Sequence, residues 1–164
     1  MKIMYLHGLY SSPQADKVAI LTAKCEVLLA PQLDYFEHPD LFGYIIGEAQ
    51  ASGIDFVVGS SAGGLMGYYL AQVLGIKALL FNPAIAKMNL RPDIVKHKAA
   101  DFTKKSYFCQ LVLGAKDETI VPQTTLDYLA THDVASNYAY HILPELEHKI
   151  PLDVFGWAVE NFVS

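Results

Sequence analysis

Six short apolar runs, separated by longer segments of helical spacing, constrain this chain more than any other feature. The runs cover residues 2–6, 26–30, 55–59, 77–81, 107–113 and 138–143. Phe56-Val57-Val58 shows their character most plainly, being apolar at every position rather than alternating. A strand of that kind must be covered on both faces. Helical stripes lie between the runs, at 14–24, 38–52, 65–74 and 122–130, and a last one closes the chain at 151–162. Strands alternating with helices imply right-handed crossovers and therefore a mainly parallel sheet of about six strands. With helices on each side, the expected architecture is α/β, a three-layer α/β/α sandwich. Residues 84–105 lack clear periodicity and are expected to make a short helical excursion over the sheet edge.

The length of 164 residues fits one domain spanning 1–164. A chain of this size can bury about 70% of its unfolded surface, enough for a core without staples. Residues that are 52% hydrophobic and only 18% charged are too apolar for disorder. The net charge of −5, a single arginine (Arg91) and no basic run longer than Lys104-Lys105 argue against nucleic-acid binding. Cys25 and Cys109 stand far apart with no metal-ligand spacing, and both are expected as buried free thiols. No apolar run approaches the ~18–20 residues needed to span a bilayer. The apolar opening is too short for a signal-peptide core and leads into a polar loop, so a cytoplasmic setting is expected.

Chemistry concentrates where the third run ends. Phe56-Val57-Val58 passes directly into Gly59-Ser60-Ser61-Ala62-Gly63-Gly64, and a helix follows. This is G-x-S-x-G between a strand and a helix, the setting of a nucleophile elbow. The reversal is so tight that the central serine is strained, and Gly59 and Gly63 leave space where side chains would collide. The turn lifts the Ser61 hydroxyl above the sheet. The Ala62 amide, at a helix start, is free to meet negative charge. Gly63, Gly67 and Ala71 give the helix a small-residue face for close packing on the sheet.

An elbow serine needs a base, and the base needs an orienting carboxylate. Asp117 follows the fifth run, and His148 lies between the sixth run and the last helix. Loops after parallel strands share one sheet edge, so Ser61, Asp117 and His148 can converge in the order Ser, Asp, His. Glu118 is one step further from the strand. His132, His141, His38 and His97 are worse placed as bases. A second oxyanion donor is expected after the first run, in Leu6-His7-Gly8-Leu9-Tyr10: the amide of Leu9, with Tyr10 its nearest rival. His7 is expected to bond the loop backbone rather than act as a base.

At this point the chain resembles the α/β-hydrolase superfamily, and more narrowly the YqiA-like bacterial serine esterases. The resemblance rests on Tyr5-Leu6-His7-Gly8-Leu9-Tyr10-Ser11-Ser12-Pro13, Pro31-Gln32-Leu33, the elbow, and Asn82-Pro83-Ala84. In the second half it rests on the segment from Leu113 to Pro122 and on His148. It implies a minimal α/β-hydrolase fold without a large cap domain. It also implies serine esterase activity, the triad Ser61, Asp117 and His148, no metal and no cofactor. One departure is Glu145-Leu146-Glu147, where many relatives carry glycines before the histidine; these carboxylates would disfavour anionic substrates.

The expected function is a serine hydrolase that cleaves small acyl esters through an acyl-enzyme, with a small-molecule acyl ester as its partner. Thioesterase or acyltransferase chemistry would use the same triad. A coenzyme A thioester would call for basic residues at the mouth, for which Lys87, Arg91, Lys96 and Lys98 are candidates. A non-catalytic ligand- or partner-binding protein on the same scaffold is the rival from another class. The oligomeric state is not legible.

Overall fold

The computed structural model describes residues 1–98 and 106–163. Its strands are β1 (Lys2–Leu6), β2 (Val27–Leu29), β3 (Phe56–Ser60), β4 (Lys77–Phe81), β5 (Phe108–Gly114) and β6 (Tyr138–Leu143). Its helices are α1 (Ala15–Thr22), α2 (Leu41–Ser52), α3 (Ala62–Leu74), α4 (Asp93–Lys98), α5 (Pro122–His132) and α6 (Leu152–Phe162). The strands form one sheet in the order β2-β1-β3-β4-β5-β6, every pair parallel. No large cap is present among the described residues, and the expected three-layer α/β/α sandwich is what forms.

The period-2 alternation of strand side chains splits the core into two layers. Met4, Leu6, Val57, Leu80, Leu111 and Leu113 point to one face and pack with residues of α2, α3, α4 and α5. Ile3, Tyr5, Phe56, Val58, Leu79, Phe81 and Val112 point to the other and pack with α1 and α6. Handedness explains this division. The chain leaves β1 for β2 in one direction, then returns past β1 to β3 in the other. Right-handed crossovers therefore put α1 on one face and α2, α3 and α5 on the opposite one. The loops after β1 and β3 consequently diverge and open a crevice at the carboxyl edge of the sheet, where ligands bind in open α/β folds.

The structure departs from the sequence expectations at several points. The two edge strands are not buried on both faces: β6 exposes Tyr140 and Ile142 to solvent, being the last strand of the sheet among the described residues. The second helix begins at Leu41 rather than near residue 38, because Asp40 caps it, accepting a hydrogen bond from the Gly43 amide at 3.2 Å. α3 begins at Ala62 rather than Leu65, because the turn at Ser61 is complete within one residue. Cys109 is buried as expected, but Cys25 is only half-buried. Of the excursion expected over 84–105, a turn of 3₁₀-helix at Met88–Leu90 and α4 are seen. The stretch 99–105, with Lys104 and Lys105, lies outside the described residues.

Candidate active site

Ser61 occupies the turn between β3 and α3 with φ 53° and ψ −118°, in the left-handed half of conformational space that an L-residue seldom adopts. Neighbouring strands fix it there. The Ser61 amide donates to the Phe81 carbonyl of β4 at 3.0 Å, and the Ser61 carbonyl accepts from the Leu65 and Ala84 amides at 3.0 Å each. The glycines on either side allow close approach. A Cβ on Gly63 would lie 2.1 Å from the Leu6 carbonyl oxygen, and one on Gly59 would lie 2.4 Å from the Gly63 carbonyl oxygen. Gly63 thus lets α3 start against the end of β1, which brings the elbow and the β1 loop together.

The structure brings the three residues expected to converge into one hydrogen-bonded chain. His148 Nδ1 lies 2.8 Å from Asp117 Oδ2, and His148 Nε2 lies 3.1 Å from Ser61 Oγ. A carboxylate oxygen accepts, so Nδ1–H donates to Asp117; Nε2 is then left to accept from the Ser61 hydroxyl. Asp117 is itself immobilised. It is buried, and its Oδ1 accepts from the amides of Thr119 at 2.9 Å and Ile120 at 2.8 Å.

Asn82 ties the loops that carry this chain of bonds. It follows β4 with φ 41°. Its side-chain amide donates to the carbonyls of Glu147 at 2.8 Å and His148 at 3.1 Å, and its Oδ1 accepts from the Gly114 amide at 2.7 Å. The end of β5 and the histidine loop also bond directly, Ala115 N–H to Leu143 O and Lys116 N–H to Leu146 O, both at 3.0 Å. In the sequence, Asn82-Pro83 reads as a strand stop and as one piece of the family resemblance, with no role assigned to the Asn82 side chain. The signal was the polar residue itself: a buried asparagine at a sheet's carboxyl edge has to find partners for three bonds.

The β1 loop closes the other side. His7 is buried; its Nδ1–H donates to the Gly8 carbonyl at 2.8 Å, and its Nε2 accepts from the Leu33 amide at 2.9 Å. Burial pushes its pKa below the ordinary imidazole value. It is the backbone-bonding residue expected, and the Tyr35 hydroxyl, donating to the His7 carbonyl, adds a further tie. Gly8 sits against the serine, since a Cβ there would be 3.3 Å from Ser61 Cβ. Leu9 lines the same cleft as Ser61 and His148, whereas Tyr10 lines a separate hollow with Gln32 and Asp34. No group among the described residues accepts from the amide of Leu9 or of Ala62.

The cleft beside Ser61 measures about 240 Å³ and is lined largely by neutral groups, with Lys17 and Lys149 on its wall. A larger hollow of about 650 Å³ lies at the opposite edge of the sheet, around Asp55 and Lys77. Among the described residues no group of three or more His, Cys, Asp and Glu is arranged to hold a metal ion. No described helix is long and apolar enough to cross a membrane.

The basic residues weighed as a coenzyme A mouth are placed differently. Arg91 is buried in a pair with Asp93 and donates to the carbonyls of Tyr35 at 2.9 Å and His38 at 3.2 Å, bracing the chain before α2. Lys87 donates to the Thr119 carbonyl at 3.0 Å. The rejected histidines are also occupied elsewhere, His97 with Asp40 at 2.8 Å and His132 with the Tyr128 carbonyl at 2.9 Å.

A parallel sheet with a strand–serine–helix turn at its switch point defines an α/β hydrolase. Solved structures agree at the level of the fold. Est1E from Butyrivibrio proteoclasticus superposes with a TM-score of 0.71 at 17% identity, over 98% of this chain and 86% of that one. A monoacylglycerol lipase from Paleococcus ferrophilus gives 0.71 at 14% identity, over 96% and 93%. Acyl-protein thioesterase 2 from Zea mays gives 0.60 at 15% identity, over 98% and 93%. Within that superfamily the chain belongs to the Uncharacterised protein family (UPF0227), whose sequence model matches residues 2–112.

Proposed function

We propose that this protein is a serine hydrolase of small acyl esters, with residues 1–164 acting as one hydrolase domain. The observation that carries the reading is the unbroken hydrogen-bond chain from Ser61 through His148 to Asp117. In this reading Ser61 Oγ attacks the ester carbonyl while His148 Nε2 takes its proton. The resulting imidazolium is held in place by the Asp117 carboxylate. Amides of Leu9 and Ala62 stabilise the tetrahedral oxyanion; losing one such donor costs on the order of 10²–10³ in turnover in other enzymes. Collapse expels the alcohol, which receives the proton from His148, and leaves an acyl ester on Ser61. Water, deprotonated by His148, then attacks that ester and releases the acid.

The likeness to a monoacylglycerol lipase and to an acyl-protein thioesterase supports ester-bond hydrolysis as the chemistry. The cleft of about 240 Å³ supports a small acyl group, being below the roughly 300–1,000 Å³ usual for drug-sized ligands. The test is a fluorophosphonate probe read by intact mass. One adduct that disappears in Ser61→Ala, together with loss of ester hydrolysis in that variant, is the expected result. Undiminished hydrolysis by Ser61→Ala, or no adduct on the native chain, would refute the proposal.

A further inference from the structure

Lys17 is out of place for a lysine. It sits on α1 one turn before Leu21, on the face that packs against the sheet, and only 7% of it is exposed. The stem is buried while Nζ keeps contact with the solvent of the cleft, and a cation so placed normally has a carboxylate beside it. Among the described residues Lys17 has none within ion-pairing distance. Its Nζ lies 5.4 Å from the centroid of the Phe155 ring. Burial and the nearby charge of Lys149 both push its pKa below the ordinary lysine value. Other lysines are differently served: Lys24 pairs with Glu160 and Lys116 with Glu145.

Lys17 and Lys149 both line the cleft beside Ser61, and among the described residues neither is ion-paired and no carboxylate lines the cleft with them. In a chain of net charge −5 this is a local reversal of sign. Lys149 directly follows His148, and it also borders an adjoining hollow with Glu145, Glu147 and Asp153, none of which is ion-paired to it. Two like charges held at one small cleft are unfavourable unless an anion comes between them. The expectation that Glu145 and Glu147 repel anionic substrates therefore fails on placement. Glu145 is engaged by Lys116, and neither carboxylate lines the serine's cleft.

We infer that Lys17 and Lys149 form a subsite for an anionic group, a carboxylate or a phosphate, carried by the substrate next to its scissile ester. The inference rests on the ester-hydrolase reading for its substrate, though not for the anion subsite itself. The cleft then selects esters with an acyl portion that ends in negative charge. The tightly held Lys17 supplies most of the selectivity, and the exposed Lys149 adds less.

The experiment compares kcat/KM for three p-nitrophenyl esters of similar acyl size: the neutral butyrate, the hemisuccinate and the 3-phosphonopropionate. The expected result is a preference for at least one anionic ester over the butyrate of about tenfold, the scale of one charge-assisted hydrogen bond. That ratio falls about tenfold in Lys17→Met, falls less in Lys149→Met, and is largely restored in Lys17→Arg. Lys17→Met melts no lower than the native chain, because methionine keeps the packing of the buried stem and removes the repulsion from Lys149. A second arm needs no turnover: succinate and inorganic phosphate are titrated calorimetrically into Ser61→Ala and into Ser61→Ala/Lys17→Met. Binding to the first that weakens in the second supports the subsite, even if Ser61 takes no fluorophosphonate and the hydrolase reading falls. A native preference for the butyrate, or a ratio unmoved by Lys17→Met, would overturn the inference. So would equal anion binding to both titrated variants.

Discussion

Asn82 offers the sharpest perturbation of the site without touching a reacting atom. Its side chain donates to two carbonyls of the histidine loop and accepts from the amide at the end of β5. Replacing it with alanine removes three hydrogen bonds worth about 1 kcal/mol each in net stability. The backbone adds a further loss, since φ is 41° and alanine tolerates that region less well than asparagine by about 1 kcal/mol. Asn82→Ala is therefore expected to lose about 4 kcal/mol in urea unfolding, a large share of a marginally stable fold. Asn82→Gly loses the same bonds without the steric penalty and should recover about 1 kcal/mol of that. Activity should fall further than stability explains. The His148 carbonyl is released, and displacement of a catalytic group by about 1 Å can cost on the order of 10² in rate. The assay is ester hydrolysis on the fully folded fraction at low temperature, with kcat and KM separated, alongside the rate of fluorophosphonate labelling. A drop in kcat and in labelling rate with KM little changed marks Asn82 as a positioning residue. Asn82→Ala within 1 kcal/mol of the native chain, with an undiminished labelling rate, would refute this reasoning.

Ser61→Gly should be inactive yet more stable than Ser61→Ala by about 1 kcal/mol, because φ 53° is open to glycine and strained for alanine; equal unfolding midpoints would remove strain from the account of the elbow. Gly63→Ala puts a methyl 2.1 Å from the Leu6 carbonyl oxygen, so α3 must move off β1; the expected outcome is a strongly lowered melting temperature, or a folded chain that has lost Ser61 labelling, and a native-like melt with full labelling would contradict it. His7 is held below its ordinary value of 6.5 by burial, so the unfolded chain takes up a proton that the folded chain resists. Its contribution is complete above that value and is lost as pH falls below it. Stability measured between pH 7 and pH 5 should decline with a slope that flattens in His7→Asn, and identical slopes would count against a neutral His7.

How much of this was legible from residues alone follows a physical line. Phe56-Val57-Val58, apolar on every side, could only be a covered strand. Gly59 and Gly63 around Ser61 marked a turn too tight for other side chains. Order along the chain then placed Asp117 and His148 at the same edge, because parallel strands deliver their loops to one side. These are properties of local sequence and topology. What stayed hidden depends on partners distant in the chain. Asn82 meets Gly114 and His148, 32 and 66 positions away, and nothing near Asn82 announces either. Arg91, weighed as a basic residue at the mouth, is buried against Asp93 and the carbonyls of Tyr35 and His38. Lys17 was closer to visible. It shares a helical face with Leu21, and a lysine on the buried stripe of an amphipathic helix already conflicts with that stripe's purpose. Conflicts of this kind are retained where function requires them, and the structure turns the conflict into a location: a cation on a buried stem at the wall of the serine's cleft, with no carboxylate paired to it among the described residues.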